Sequence, residues 1–198
     1  MATTTPELHP LVEDSALARR LFASTGPAAI VWLVARLYLG YEWFVGGWNK
    51  VAGEAADAWF TGEAVRGFAA RALESGTVGD NPRIAFGWYV NFLEFIRDSA
   101  YPVVGPLVAI GEVVIGAALI LGAFVGIFAS LGVVLNFSFV FAGSAGVNPL
   151  FLVVGLLLML AWRNAGYYGL DRYLLSAVGT PWQRRPRSQI TPTPVTTS

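Results

Sequence analysis

The chain has no cysteine, which excludes disulfides of its own, thiol relays, haem attachment through cysteine and iron–sulfur ligation. Its single histidine, His9, stands in a polar N-terminal stretch and reads as a solvated tail residue, so no multi-histidine metal or haem site is expected. No phosphate-binding glycine loop or dinucleotide fingerprint follows a predicted strand, so no flavin or nucleotide site is expected either. Charge is scarce: 13% of the residues are Asp, Glu, Lys or Arg, and the formal net charge is zero. No nucleic-acid partner is expected from such a chain. Residues 1–26 hold Glu7, Glu13, Asp14, Arg19 and Arg20 without an apolar run, which argues against a cleavable signal peptide and makes the first apolar segment an uncleaved insertion signal.

What is abundant is apolar surface, with 55% hydrophobic residues in 198. A single small core cannot hide that much, so the lipid bilayer is expected as solvent and partner. Crossing the hydrocarbon takes roughly 20 mainly apolar residues, and residues 27–48, 103–122, 124–142 and 147–164 each qualify. These runs are continuous rather than alternating, which favours helices over a β-barrel. The expected fold is therefore all-α: a four-helix integral membrane bundle over 27–182, preceded by a cytoplasmic segment 1–26 and followed by a basic, Pro/Thr-rich disordered tail, 183–198.

Basic residues concentrate near both termini (Arg19, Arg20, Arg163, Arg172, Arg184, Arg185 and Arg187), whereas the connection 51–102 is richer in Asp and Glu. The positive-inside rule then puts both termini in the cytoplasm and the long connection outside a multi-pass cell-membrane protein. Within that connection, Val65, Phe68, Ala69, Ala72 and Leu73 recur at helical spacing, and Asn91, Glu94 and Asp98 share one face of a second, aromatic helix. Two readings stand: interfacial anchors at headgroup depth, or an exterior amphipathic lid over the end of the bundle.

Ionisable residues inside apolar runs are costly and tend to be functional. Arg36 and Glu112 each lie about 13 Å from the start of their spans at 1.5 Å per residue, which makes an ion pair between them the natural expectation. Such a pair serves either as glue between helices or as machinery, with the carboxyl moving protons and the guanidinium holding an anion or a reduced quinone. Gly40, Trp43 and Gly47 continue the face begun by Arg36, and Glu42 is a second acid in the same span. Lys50 reads either as a snorkelling boundary residue or as a ligand contact. Asn136, about 18 Å from Phe124, is expected to hydrogen-bond between helices or to a ligand. Glycines such as Gly116 and Gly122 read as close-packing and turn positions. Trp162 and Tyr167 suit an interface, while Arg163 and Asn164 could cap the last helix's carbonyls.

Four segments carry a resemblance: ARLYLGYEWFVGGWNK (35–50), LVAIGEVVIGAALILG (107–122), LNFSFVFAGSAGVNPL (135–150) and AWRNAGYYGLD (161–171). With their spacing they resemble the DoxX/DoxD membrane-protein family, of the small-subunit type associated with thiosulfate:quinone oxidoreductase. The resemblance implies a four-helix membrane subunit, often with a second oxidoreductase subunit, passing electrons from thiosulfate, a small sulfur oxyanion, to a membrane quinone held noncovalently, with tetrathionate as product. By position it singles out Arg36, Glu42 and Lys50 in the first motif, Glu112 in the second, Asn136 and Asn148 in the third, and Arg163, Asn164, Tyr167 and Asp171 in the fourth.

The leading expectation is thus a quinone-linked oxidoreductase subunit, with Arg36, Glu42 and Glu112 as its catalytic groups. Quinone is expected to slip in between helices near Trp43 and Phe139, with Lys50, Asn136 and Asn148 as further contacts. Two rivals remain: a membrane anchor recruiting soluble redox enzymes through its basic tail, and a small proton-coupled transporter working through Glu112.

Overall fold

The computed structural model describes residues 15–23, 27–77, 83–144 and 146–178. The tail 183–198 and His9 lie outside these residues, as does most of segment 1–26. Every regular element among the described residues is helical. A short turn, α1 (Ala16–Ala18), runs into a π-helical turn at Arg19–Ala23. Then come α2 (Ala28–Ala52), α3 (Ala56–Phe60), α4 (Glu63–Gly76) and α5 (Gly87–Phe95). A second π-helical turn, Ile96–Ala100, joins α5 to α6 (Tyr101–Leu121). The remainder is α7 (Val125–Phe141), α8 (Asn148–Leu160), α9 (Trp162–Ala165) and α10 (Asp171–Val178).

Two of these helices are long and apolar enough to cross a membrane: Ala28–Ala52 and the continuous Gly87–Leu121. The next two, α7 and α8, are apolar but shorter. The run expected at 147–164 is interrupted at Ala161, where the chain leaves helical geometry before α9. Large apolar side chains stand exposed on all four, among them Val34 and Tyr41 on α2, Leu107 and Val114 on α6, Val134 on α7 and Val153 on α8.

Local chemistry sets the turns. Gly122 ends α6 at φ 68°, where its missing Cβ removes the usual penalty, and the Ala123 N–H reaches back to the Ala118 carbonyl, a Schellman-type closure. Prolines at the first turns of α6 and α8 fit positions whose N–H has no helical partner. Pro106, by contrast, sits inside α6 and removes one helical hydrogen bond close after the π-turn.

Helices α2 and α6 pack antiparallel through small residues. A methyl group added at Gly116 would collide with the backbone of Phe44, and one at Gly47 with that of Glu112 and Val113. The register so fixed sets Gly40 beside Gly116 and Leu119, and Gly47 beside Glu112. Gly116→Val is accordingly expected to force the pair apart at a cost of about 1–3 kcal/mol, the usual price of overpacking. Thermal unfolding checks this, and an unchanged midpoint would contradict so close an approach.

Two cores result. One gathers Trp32, Leu39, Trp43, Ile115, Leu119, Val125, Ala129 and Leu158 between α2, α6, α7 and α8. The other joins α4 to α5 through Val65, Ala69, Leu73, Tyr89, Leu93 and Ile96, with Ala142 just past α7. The Tyr89 hydroxyl donates to the Ser138 carbonyl and ties this second core to α7. The helical spacing of Val65, Phe68, Ala69, Ala72 and Leu73 is thus realised as α4, and its apolar face is buried against protein.

Candidate functional site

The charged residues separate into two groups at opposite ends of α2. Arg36 and Glu112 do not pair. Helices α2 and α6 run antiparallel, and the contact register sets Arg36 level with Leu119 and Ile120, one end away from Glu112. Counting equal depths from opposite span starts assumed that both starts lie at the membrane boundary. Instead α2 continues to Ala52 and α6 prolongs an earlier helix.

At its end, Arg36 is 1% exposed and donates from Nη1 to the carbonyls of Leu119 (2.7 Å) and Ile120 (3.3 Å), and from Nη2 to that of Tyr168 (3.4 Å). It caps the C-terminus of α6, where free carbonyls and the helix dipole both favour a cation. A Cβ on Gly122 would overlap its guanidinium. Asp171 completes this seam from the other side: its carboxylate accepts from the Phe124 N–H (2.5 Å) and the Val125 N–H (2.9 Å), capping the start of α7. Burial pushes the Asp171 carboxyl up, against the opposing pull of those two N–H groups and of Arg36.

The rest of the fourth motif serves the same junction. Asn164 donates to the Leu21 carbonyl (3.0 Å), which also accepts from Trp32 Nε1 (2.6 Å), so Asn164 ties down the N-terminal turn rather than capping its own helix. Arg163 lies over the Trp162 ring, and Arg172 over that of Tyr167. This end is a tie between segments, in which the Arg36 Nη atoms are engaged by backbone carbonyls while its Nε has no hydrogen-bond partner among the described residues.

Chemistry of a different kind gathers at the far end, fourteen residues and about 21 Å along α2 at 1.5 Å per residue. Lys50 turns inward: its Nζ stands 2.5 Å from Glu112 Oε2, 3.2 Å from the Gly46 carbonyl and 5.1 Å from the centre of the Trp59 ring. A snorkelling side chain would point the other way. The pair borders a cavity of about 280 Å³. Glu42, Trp43, Phe139 and Asn148 line it with Lys50 and Glu112, so six of the residues singled out from sequence meet there.

Trp59, Phe68, Ser144 and Phe151 complete the wall. Phe68 belongs to the helical spacing of the lid segment, and the four-residue spacing of Ser144 and Asn148 offers a further signal; Asn148 Nδ2 donates to Ser144 Oγ (3.1 Å). Asn136 is 1% exposed on α7, and among the described residues neither end of its amide has a hydrogen-bond partner. The helix-to-helix bond expected of it is therefore not made. Trp43 Nε1 is likewise unpartnered and faces α7 near Gly132, one turn before Asn136.

Physically, the cavity is a chamber that sets five aromatic rings against one wall of opposite charges. An ammonium offers hydrogen bonds to a ligand oxygen, two carboxyls stand by to take or give protons, and the rings accept a flat apolar body. Among the described residues no group of three or more His, Cys, Asp or Glu comes together as a metal cluster. No family model matches the chain, and neither a curated protein nor a solved structure matches it.

Proposed function

We propose that the chain is a multi-pass membrane protein of DoxX/DoxD type, in which α2, α6, α7 and α8 with α9 form a four-helix bundle and α3 to α5 form a lid on the exterior side. In this reading both termini are cytoplasmic, and the Lys50/Glu112 cavity lies under the lid in the outer half of the bilayer. The exposed apolar side chains on all four helices then face lipid, where the hydrophobic effect no longer penalises them.

The activity proposed is that of a membrane subunit in a quinone-linked oxidoreductase. Joining two thiosulfates through a new S–S bond to give tetrathionate releases two electrons, and reducing a quinone to its hydroquinone consumes two electrons and two protons. The oxyanion is oxidised in the complex with a second subunit, and this chain holds the quinone. Lys50 donates a hydrogen bond to a quinone oxygen, the part first expected of Arg36. Glu112, bonded to Lys50, and Glu42 on the same wall relay the two protons. One observation carries this reading: a buried Glu112 paired with a half-buried Lys50 on the wall of a cavity rather than in packing.

Purified protein, with and without co-purifying subunits, should reduce a quinone in a thiosulfate-dependent manner, and Lys50→Ala should lower the rate at least tenfold. Absence of both turnover and quinone binding in either preparation removes the proposal.

A further inference from the structure

We infer that the ligand is a chain-bearing amphiphile, a quinone whose ring occupies the Lys50/Glu112 cavity while its hydrocarbon chain fills a second, larger cavity beside it. This rests on the reading of the first cavity as the ring site.

The second cavity measures about 530 Å³ and lies between α4, α5 and α7 under the second core. It has the size and apolar lining of a ligand site, with few polar groups. The two chambers share three walls, Trp59, Phe68 and Phe139. Phe68 and Phe139 meet edge to face with ring centres 5.9 Å apart, so the partition between polar and apolar space is a pair of aromatic side chains rather than backbone. Rotating two rings opens it; no helix has to move.

The division of chemistry matches an amphiphile. The ion pair belongs to the small chamber, whereas Val65, Leu93, Val104 and Leu135 give the large one a hydrocarbon lining. Its edge carries Phe92 and Phe95, which are 42% and 59% exposed and continue the outward apolar surface of α5. A chain arriving from lipid along that surface exchanges one apolar environment for another, with Glu63 and Arg71 the only charged side chains among the described residues that line the chamber. Ile96 and Ala100, the two ends of the π-helical turn, border the same chamber. Such turns occur frequently at functional sites.

The test uses full-length protein in detergent and reads quenching of the tryptophans Trp43 and Trp59, which border the ring site. Two probes are titrated: a chainless benzoquinone and the same ring bearing a ten-carbon alkyl chain. The alkylated probe should bind at least tenfold tighter than the bare ring. Ala64→Phe and, separately, Ala69→Phe, both placed to fill the large chamber, should cut that advantage below twofold and leave the bare ring's affinity unchanged. Two variants guard against one failing to fold. If the advantage is missing in the wild type, or survives in a folded filled variant while the bare ring still binds, the chain site is wrong and the ring site stands. If neither probe gives quenching that Lys50→Ala abolishes, the ring site fails and the chain site with it.

Discussion

Arg36→Ala is expected to cost on the order of 3–5 kcal/mol of stability, the range for removing one member of a buried charged network. The loss has three parts. Two carbonyls at the end of α6 and one at Tyr168 lose a charged donor, Asp171 loses the favourable charge of Arg36, and the excised side chain leaves a void. A chain of this size gives up about 2–4 °C of Tm for each kcal/mol, so a fall of roughly 10 °C is expected. Arg36→Lys should recover only part, because an ammonium cannot span three carbonyls as the guanidinium fork does. Quinone binding by whatever folds should be unaltered. An Arg36→Ala protein that unfolds at the wild-type temperature but no longer binds quinone would return Arg36 to the ligand site and reverse the assignment made here.

Lys50 and Glu112 are expected to behave as a unit. Lys50→Met strands a carboxyl at the wall of an aromatic chamber, and Glu112→Gln strands an ammonium; each should destabilise by on the order of 3 kcal/mol. The double variant should then be milder than the sum of the two, with a coupling of roughly 1–3 kcal/mol in the cycle. Equilibrium unfolding of the four proteins measures it. Strict additivity would mean that the 2.5 Å contact contributes nothing. Both single variants should also lose quinone binding, which separates this pair from Arg36.

The helices were legible because hydrophobic run length is a strong signal. Runs at 27–48, 103–122 and 124–142 correspond to Ala28–Ala52, Tyr101–Leu121 and Val125–Phe141. The face carrying Arg36, Gly40, Trp43 and Gly47 is likewise buried as its spacing indicates. What failed was partner assignment. Depth counted from opposite ends ignores how far each helix overshoots its apolar run, and three extra turns of register separate an ion pair from a helix cap. Arg36 found carbonyls because α6 stops beside it, a fact held in Gly122 and in the fourth motif rather than in any charge. Lys50 found Glu112 because Gly47 lets the two backbones close up. Six site residues converge even so: Trp43 lies on the face begun by Arg36, Glu42 and Glu112 are acids inside apolar runs, and Lys50 and Asn148 belong to motifs of the family resemblance. Trp59 and Phe151 gave no such warning: an aromatic residue near a helix end reads alike whether it anchors in lipid or walls a chamber.

The Asp171 clamp bears on how the molecule is made. Its carboxylate holds the start of α7, and the neighbouring Tyr168 carbonyl meets Arg36 of α2. A nascent polypeptide that has delivered its first three long helices therefore still lacks the fastener for the hairpin between the second and third. Only when the stretch around 168–171 emerges can the earlier pieces lock, so this hairpin is fastened after both of its helices have been made.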